Sequence, residues 1–197
     1  MEERIVPERR SSILGSSPDR PVPIGVTIKT TIEHGDRKPT PERFNLEITL
    51  LDTVRGREAL DRIKLEGVSD KAPRAGFDYV LAHIRFGYFR KARGPLMPHP
   101  YVLGDGTFTA ASADGKIEYV PPSMVRQPQP ELIGVPFSVG DSREGWIVLE
   151  VPEEEKRPLL VFHRGHAASA YEVWGPIWFR LHVFDPMCID ASCADCC

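Results

Sequence analysis

The residues with the widest chemical repertoire stand at the end of the chain. Cys188, Cys193, Cys196 and Cys197 are its only cysteines, and all four fall in the last ten residues. Cys193-Ala-Asp-Cys196 has the spacing of half a metal site, and four thiolates suffice to close a tetrahedral zinc shell. No second well-spaced pair accompanies it. Asp185, Asp190 and Asp195 stand nearby in sequence, and carboxylates so placed are expected to raise thiol pKa values and blunt reactivity. Three readings of the tail stay open: a zinc site, a disulfide-bonded end, or a tail without a defined role. No ligand set is assigned, and no cofactor is expected.

Histidine is the next metal-capable group. His163-Arg-Gly-His166 follows a strand-like run, and His182 lies in a later one. Three imidazoles can share a metal, but nothing in the spacing gathers these three, and they read as loop histidines. Arg90, Lys91 and Arg93 form a basic loop suited at most to an anion contact. Glu153-Glu-Glu155 followed by Lys156 and Arg157 reads as a solvated turn. Trp146, Trp174 and Trp178 are candidates for an aromatic contact patch. Strand spacing puts Trp146 in the core, and Trp178, opposite the face of Ile177, is the best single binding candidate. There is no Gly-x-Ser-x-Gly elbow, no glycine-rich phosphate loop and no nucleophile–base–acid set. The expectation is a protein that is not an enzyme.

These groups have to be carried by elements, and the elements read as strands. The longest runs from Gly76 to Tyr88 and organises the others. Val80, Ala82, Ile84, Phe86 and Tyr88 fall on one face at period two; Phe77, Tyr79 and Leu81, then His83 and Arg85, fall on the other. That pattern predicts one core face and a second face covered at its first end and wet at its last. Ile24–Ile32 and Phe44–Val54 alternate likewise, with Phe44, Leu46, Ile48 and Leu50 inward and Asn45, Glu47 and Thr49 outward. Short strands are expected near Thr107–Ala110 and Lys116–Tyr119, around the turn signal Asp114-Gly115. Glu144–Val151, Leu159–Phe162 and Gly175–Phe184 complete the set. Only 55–64 changes period: Leu60 and Ile63 stand three apart, and Glu58 precedes Arg62 by four. This predicts a short helix plugging one end of the fold. Spaced strands with turn signals and one helix predict an antiparallel β-sandwich.

Totals agree. The chain has 197 residues, 41% of them hydrophobic, which suits one sizeable domain. Its 19 prolines fall largely between the strand-like runs. A net charge of −3, without a basic stripe, argues against nucleic-acid binding. No run approaches the ~20 apolar residues of a membrane span. The N-terminal Met1-Glu-Glu-Arg-Ile lacks the apolar stretch of a secretory signal. The expected organisation is a mobile leader over 1–20, a sandwich over 21–184 and a Cys-rich tail over 185–197.

Six phrases add a resemblance: Val-Pro-Ile-Gly25, Leu-Asp-Thr-Val-Arg-Gly-Arg-Glu-Ala59, Ala-Gly-Phe-Asp-Tyr-Val-Leu-Ala82, Ser-Arg-Glu-Gly-Trp-Ile-Val-Leu-Glu-Val151, Arg-Pro-Leu-Leu-Val-Phe162 and Gly-Pro-Ile-Trp-Phe-Arg-Leu181. In this order, over about 21–181, they resemble a bacterial telokin-like family of immunoglobulin-fold domains of unknown function, related to a mycobacterial immunoprotective extracellular protein. The resemblance implies an immunoglobulin-like sandwich without a catalytic centre, exported to the cell envelope or beyond. It carries over no functional residue. The missing signal and the Cys-rich tail depart from the family pattern. The expected function is a non-enzymatic binding module for an unknown protein or small ligand. The alternative is a cytoplasmic protein whose tail binds metal or acts in thiol redox. The expected docking surfaces of the binding module are the crossover 90–100 and the loop 167–175.

Overall fold

A computed structural model of the chain describes residues 13–34, 42–65, 67, 71–91, 100–122, 125–164 and 175–182. Ten strands and one helix follow in the order β1 (Thr27–His34), β2 (Glu42–Arg55), α1 (Arg57–Leu65), β3 (Phe77–Arg90), β4 (Tyr101–Val102), β5 (Phe108–Ala111), β6 (Glu118–Tyr119), β7 (Pro136–Phe137), β8 (Ser142–Pro152), β9 (Leu159–Phe162) and β10 (Ile177–Arg180). One sheet has the order β1-β2-β3-β8 and the other β10-β9-β5-β6, while β4 and β7 form a small separate pair. Every strand pairing is antiparallel.

The connectivity is that of an immunoglobulin-type sandwich. Its defining pairs join strands A, B and E in one sheet and C, F and G in the other. Here β2-β3-β8 and β5-β9-β10 occupy those places, with β1 added outside β2. The chain leaves the first sheet after β3, returns for β8 and leaves again for β9. The two sheets are thereby interlocked, as an all-β sandwich requires.

The alternation in the sequence has a direct packing consequence. Val80, Ala82, Ile84, Phe86 and Tyr88 of β3 all face the space between the sheets. They meet Phe44, Leu46, Ile48 and Leu50 of β2, Ile147, Leu149 and Val151 of β8, and Phe108, Leu160, Phe162 and Phe179 of the second sheet. Phe86 is the hub: its ring lies 5.6 Å from Tyr101, 5.1 Å from Phe137 and 6.1 Å from Phe162. Stacked, edge and tilted contacts of this kind add to the burial of the rings.

The second face of β3 behaves as its sequence predicts. Tyr79 and Leu81 are buried, while Arg85 is exposed. The cover comes from α1, whose position differs from the expectation. The helix lies on the outer face of the first sheet instead of plugging an end. Its two buried residues, Ala59 and Ile63, pack with Tyr79, Leu81, Trp146 and Val148. A helix with one narrow apolar stripe needs an apolar sheet face to bury it, and that end of β3 and β8 supplies one.

Three further differences have local causes. The first strand begins at Thr27, because Gly25 adopts φ +82° and turns the chain, leaving Val26 exposed. Thr49, expected outward and wet, is 4% exposed because Thr27 covers it at 2.8 Å between hydroxyl oxygens. The last strand ends at Arg180, although Leu181 keeps its core position; Val183 and Phe184 lie outside the described residues.

Candidate clefts between the sheets

Sheet edges decide where a sandwich can receive a partner, because an edge strand presents unpaired N–H and C=O groups. The outer edge of β8 is closed by the segment that precedes β7. The Val148 N–H donates to Gln127 Oε1 at 2.6 Å and the Trp146 N–H to the Pro130 carbonyl at 3.2 Å. Gly145 is the closest approach: a Cβ there would stand 2.6 Å from the Pro130 oxygen and 2.9 Å from Leu132 Cβ. The outer edge of β10 is closed by residues 15–22. The Val22 N–H donates to the Trp178 carbonyl, the Arg180 N–H to Val22 and the Trp178 N–H to Gly15, at 2.8, 2.9 and 3.0 Å. Residues 13–20, placed in the leader from sequence, thus lie along the second sheet.

Two clefts flank this frame. The first, of about 580 Å³, opens between β8 and the β5–β6 side. Phe108, Val120, Pro121, Pro122, Ile133 and Ile147 line it, with Asp105 and Gln127 as polar members. Val120 is 74% exposed at this site and Asp105 is exposed, so an apolar surface and a carboxylate are both open to solvent. The second, of about 540 Å³, runs beside β1 and is lined by Ile13, Leu14, Ile28, Thr30, Arg164 and Ile177 among others. There Arg164 donates from Nη1 to Thr30 Oγ1 and from Nε to the Gly175 carbonyl, both at 2.9 Å. Burial pushes its guanidinium below the ordinary arginine value.

The titratable residues outside the clefts serve as fasteners. Arg55 reaches from β2 to the turn after β8. It donates to the carbonyls of Pro152, Glu153 and Glu155 and pairs with Asp78 at 3.0 Å. Glu150, 4% exposed, accepts from the Arg74 backbone and guanidinium, pinning the chain ahead of β3 to β8. Burial first, and the Glu150 charge second, push the Tyr79 phenol up. Tyr101, stacked against Phe86 and Tyr88, is pushed up by burial to about 12. In the β5–β6 turn Asp114 accepts from Lys116 and Ser112, which holds its carboxyl far below the usual range.

The histidines do not converge. His163 follows β9 and His182 follows β10, and these antiparallel strands put them at opposite ends of the pair. His163 Nε2 lies 3.0 Å from Thr109 Oγ1 and 2.8 Å from Glu118 Oε1, with the Thr109 hydroxyl also 3.0 Å from that carboxylate. The one nitrogen faces both groups, so it cannot be oriented by one while activating the other, as a triad base must. His182 is half-buried, and its Nδ1 has no hydrogen-bond partner among the described residues. Burial, and then the Arg180 charge, push its imidazole down. His166 lies outside the described residues, and among those described no three His, Cys, Asp or Glu side chains are gathered as a metal requires.

The other sequence candidates divide similarly. Cys188, Cys193, Cys196, Cys197, Trp174, Arg93 and most of the segments 90–100 and 167–175 lie outside the described residues. Lys91 donates to Thr31 Oγ1 at 3.3 Å. Trp146 is buried, stacked on His83 at 4.4 Å with the Arg62 guanidinium 3.8 Å from its ring centre. Trp178 is on the outer face of the second sheet, as expected, but half-buried. It pairs with Val161, and its ring edge approaches Gly115, which holds φ +69°. The residues that sequence reasoning missed are those of the first cleft. Their one signal is Val120-Pro-Pro122, an apolar residue and two prolines after a short strand.

No helix among the described residues is long and apolar enough to cross a membrane. Comparison with family models, curated proteins and solved structures finds no match to the chain.

Proposed function

We propose that this protein is a non-enzymatic binding module, and that it receives a small apolar ligand with a cationic or hydrogen-bond-donating end in the cleft between β8 and the β5–β6 side. The observation that carries the reading is the make-up of that cleft. Ligand sites are concave, mostly apolar, a few hundred Å³ or more in volume, and carry few polar groups. Here an apolar wall formed by Phe108, Val120, Pro121, Pro122 and Ile133 meets a single carboxylate, Asp105. The apolar body of a ligand would cover Val120, and Asp105 would set its orientation. The chemistry asked of the protein is selection and shielding from water, which needs neither nucleophile nor metal. The resemblance to the telokin-like family supports the same reading and adds the expectation of export.

The test is a panel of aliphatic amines and alcohols titrated into the full chain, read by displacement of an environment-sensitive apolar dye. Val120→Arg, at an exposed position, should leave the thermal melt unchanged and weaken binding at least tenfold. Asp105→Asn should weaken amines more than alcohols. Equal binding by native protein and Val120→Arg would remove the cleft from the account.

A further inference from the structure

We propose that the outer edge of β1 is a self-association surface, and that two copies of this chain pair antiparallel through it about a two-fold axis at Thr31. The inference does not depend on what the cleft beside β8 binds. It begins with the difference between the four sheet edges. Those of β8 and β10 are closed by the hydrogen bonds described above, and β6 is two residues long. β1 has eight residues, pairs with β2 in unbroken register and is the last strand of its sheet among the described residues. It contains no proline and no bulge, the devices that commonly blunt an exposed edge.

The ladder fixes which groups the edge presents. The Lys91 N–H donates to the Arg43 carbonyl, so Arg43, Asn45, Glu47 and Thr49 of β2 turn their backbone groups toward β3. The intervening Phe44, Leu46 and Ile48 therefore face β1, where they pair with Ile32, Thr30 and Ile28. Thr27, Lys29, Thr31 and Glu33 are left with N–H and C=O directed away from the sheet. In an antiparallel pair of copies, hydrogen-bonded partners must both come from this set.

Charge then selects the register. Lys29 and Glu33 stand two residues before and two after Thr31 in the strand register. An axis at Thr31 puts Lys29 opposite position 33 of the partner copy, twice by symmetry, and Thr31 opposite Thr31. The three pairs supply roughly six backbone hydrogen bonds, and opposite charges directly across a strand pair are favourable. A lysine in mid-edge commonly guards against pairing, but in this register its charge is answered. The isologous contact closes after two copies, as a two-fold interface does. The cleft along β1, with Ile13, Leu14 and Ile28 on its wall, leaves room for the inward-facing side chains of the partner strand.

The experiment is sedimentation equilibrium of the full chain, kept in reductant so that the tail cysteines cannot cross-link copies, across a concentration series. The native chain should shift from monomer mass toward twice that mass. Thr31→Pro removes an outward N–H without touching the backbone ladder of β1 and β2 and should hold the chain at monomer mass, with a cooperative melt lowered only by the loss of the hydroxyl contacts to Asn45 and Lys91. Lys29→Glu puts like charges opposite each other and should weaken association at least tenfold. It also loses the Glu47 pair at 2.6 Å within the chain, so the decisive readout is rescue: Lys29→Glu with Glu33→Lys should restore the native dimer. A native chain that stays monomeric at every concentration would overturn the proposal. So would a dimer that Thr31→Pro leaves intact, or a double variant that does not recover.

Discussion

Replacing Gly145 by alanine tests the closure of the β8 edge with one added carbon. The new Cβ would stand 2.6 Å from the Pro130 carbonyl oxygen and 2.9 Å from Leu132 Cβ. Neither neighbour is the end of a flexible side chain, so the segment 127–132 must move off the strand. Overpacking of this kind costs ~1–3 kcal/mol. Moving the segment also lengthens the bonds that seal Trp146 and Val148, and loses about half of their combined net contribution, or about 1 kcal/mol. The expected loss is about 2–4 kcal/mol, which at a urea m-value of roughly 2 kcal/mol/M lowers the midpoint by about 1–2 M. Equilibrium urea unfolding measures it, and amide exchange locates it: the Trp146 and Val148 amides should lose protection while those of β2 keep theirs. Gly134→Ala is the contrast, since Gly134 holds φ +77° with nothing within 4 Å of a new Cβ. It should cost only backbone strain, about 1–2 kcal/mol, with protection at β8 unchanged. A Gly145→Ala chain within about 0.5 kcal/mol of native, with both amides still protected, would refute the reasoning.

Two further outcomes follow from the fasteners. Arg55→Lys keeps the charge but loses the fork that spans Asp78 and three carbonyls, and should cost about 1–2 kcal/mol in urea unfolding; a neutral result would remove Arg55 as the lock of that turn. Tyr101 is pushed up to about 12, so between its ordinary value near 10 and 12 the unfolded chain gives up the proton while the folded chain keeps it. Stability should therefore fall as pH rises above about 10, with a shallower fall in Tyr101→Phe. Phenolate absorbance should show fewer tyrosines titrating near 10 in the native protein than in the unfolded chain, because Tyr79 and Tyr119 are pushed up along with Tyr101, and Tyr101→Phe should remove the phenol held up to about 12.

The strands were legible because each buries one face in a single core. Alternation alone placed the inward residues of β2 and β3, and the mixed outer face of β3 foretold a partial cover. The same pattern could not say that α1 provides the cover. Leu60 and Ile63 reveal that a helix has an apolar stripe, but not which apolar surface meets it. β4 and β7 went unseen because two-residue pairs leave no period. The first cleft was illegible for a related reason: its walls come from β5, the segment 120–127 and β8, far apart in sequence and joined only by the crossing of the chain between sheets. Trp178 shows the opposite error. Its outward register was correct, but a neighbouring turn covers what alternation alone would leave exposed.

The most direct test of the binding-module reading is to locate a bound ligand. Amide and methyl NMR spectra of the full chain would be recorded while the tightest-binding aliphatic amine from the dye screen is added. The account predicts saturable shifts confined to Phe108, Val120, Val125, Ile133, Ile147 and Val148, absent in Val120→Arg. Saturable shifts centred elsewhere, or no saturable shift at any of these residues, would contradict it.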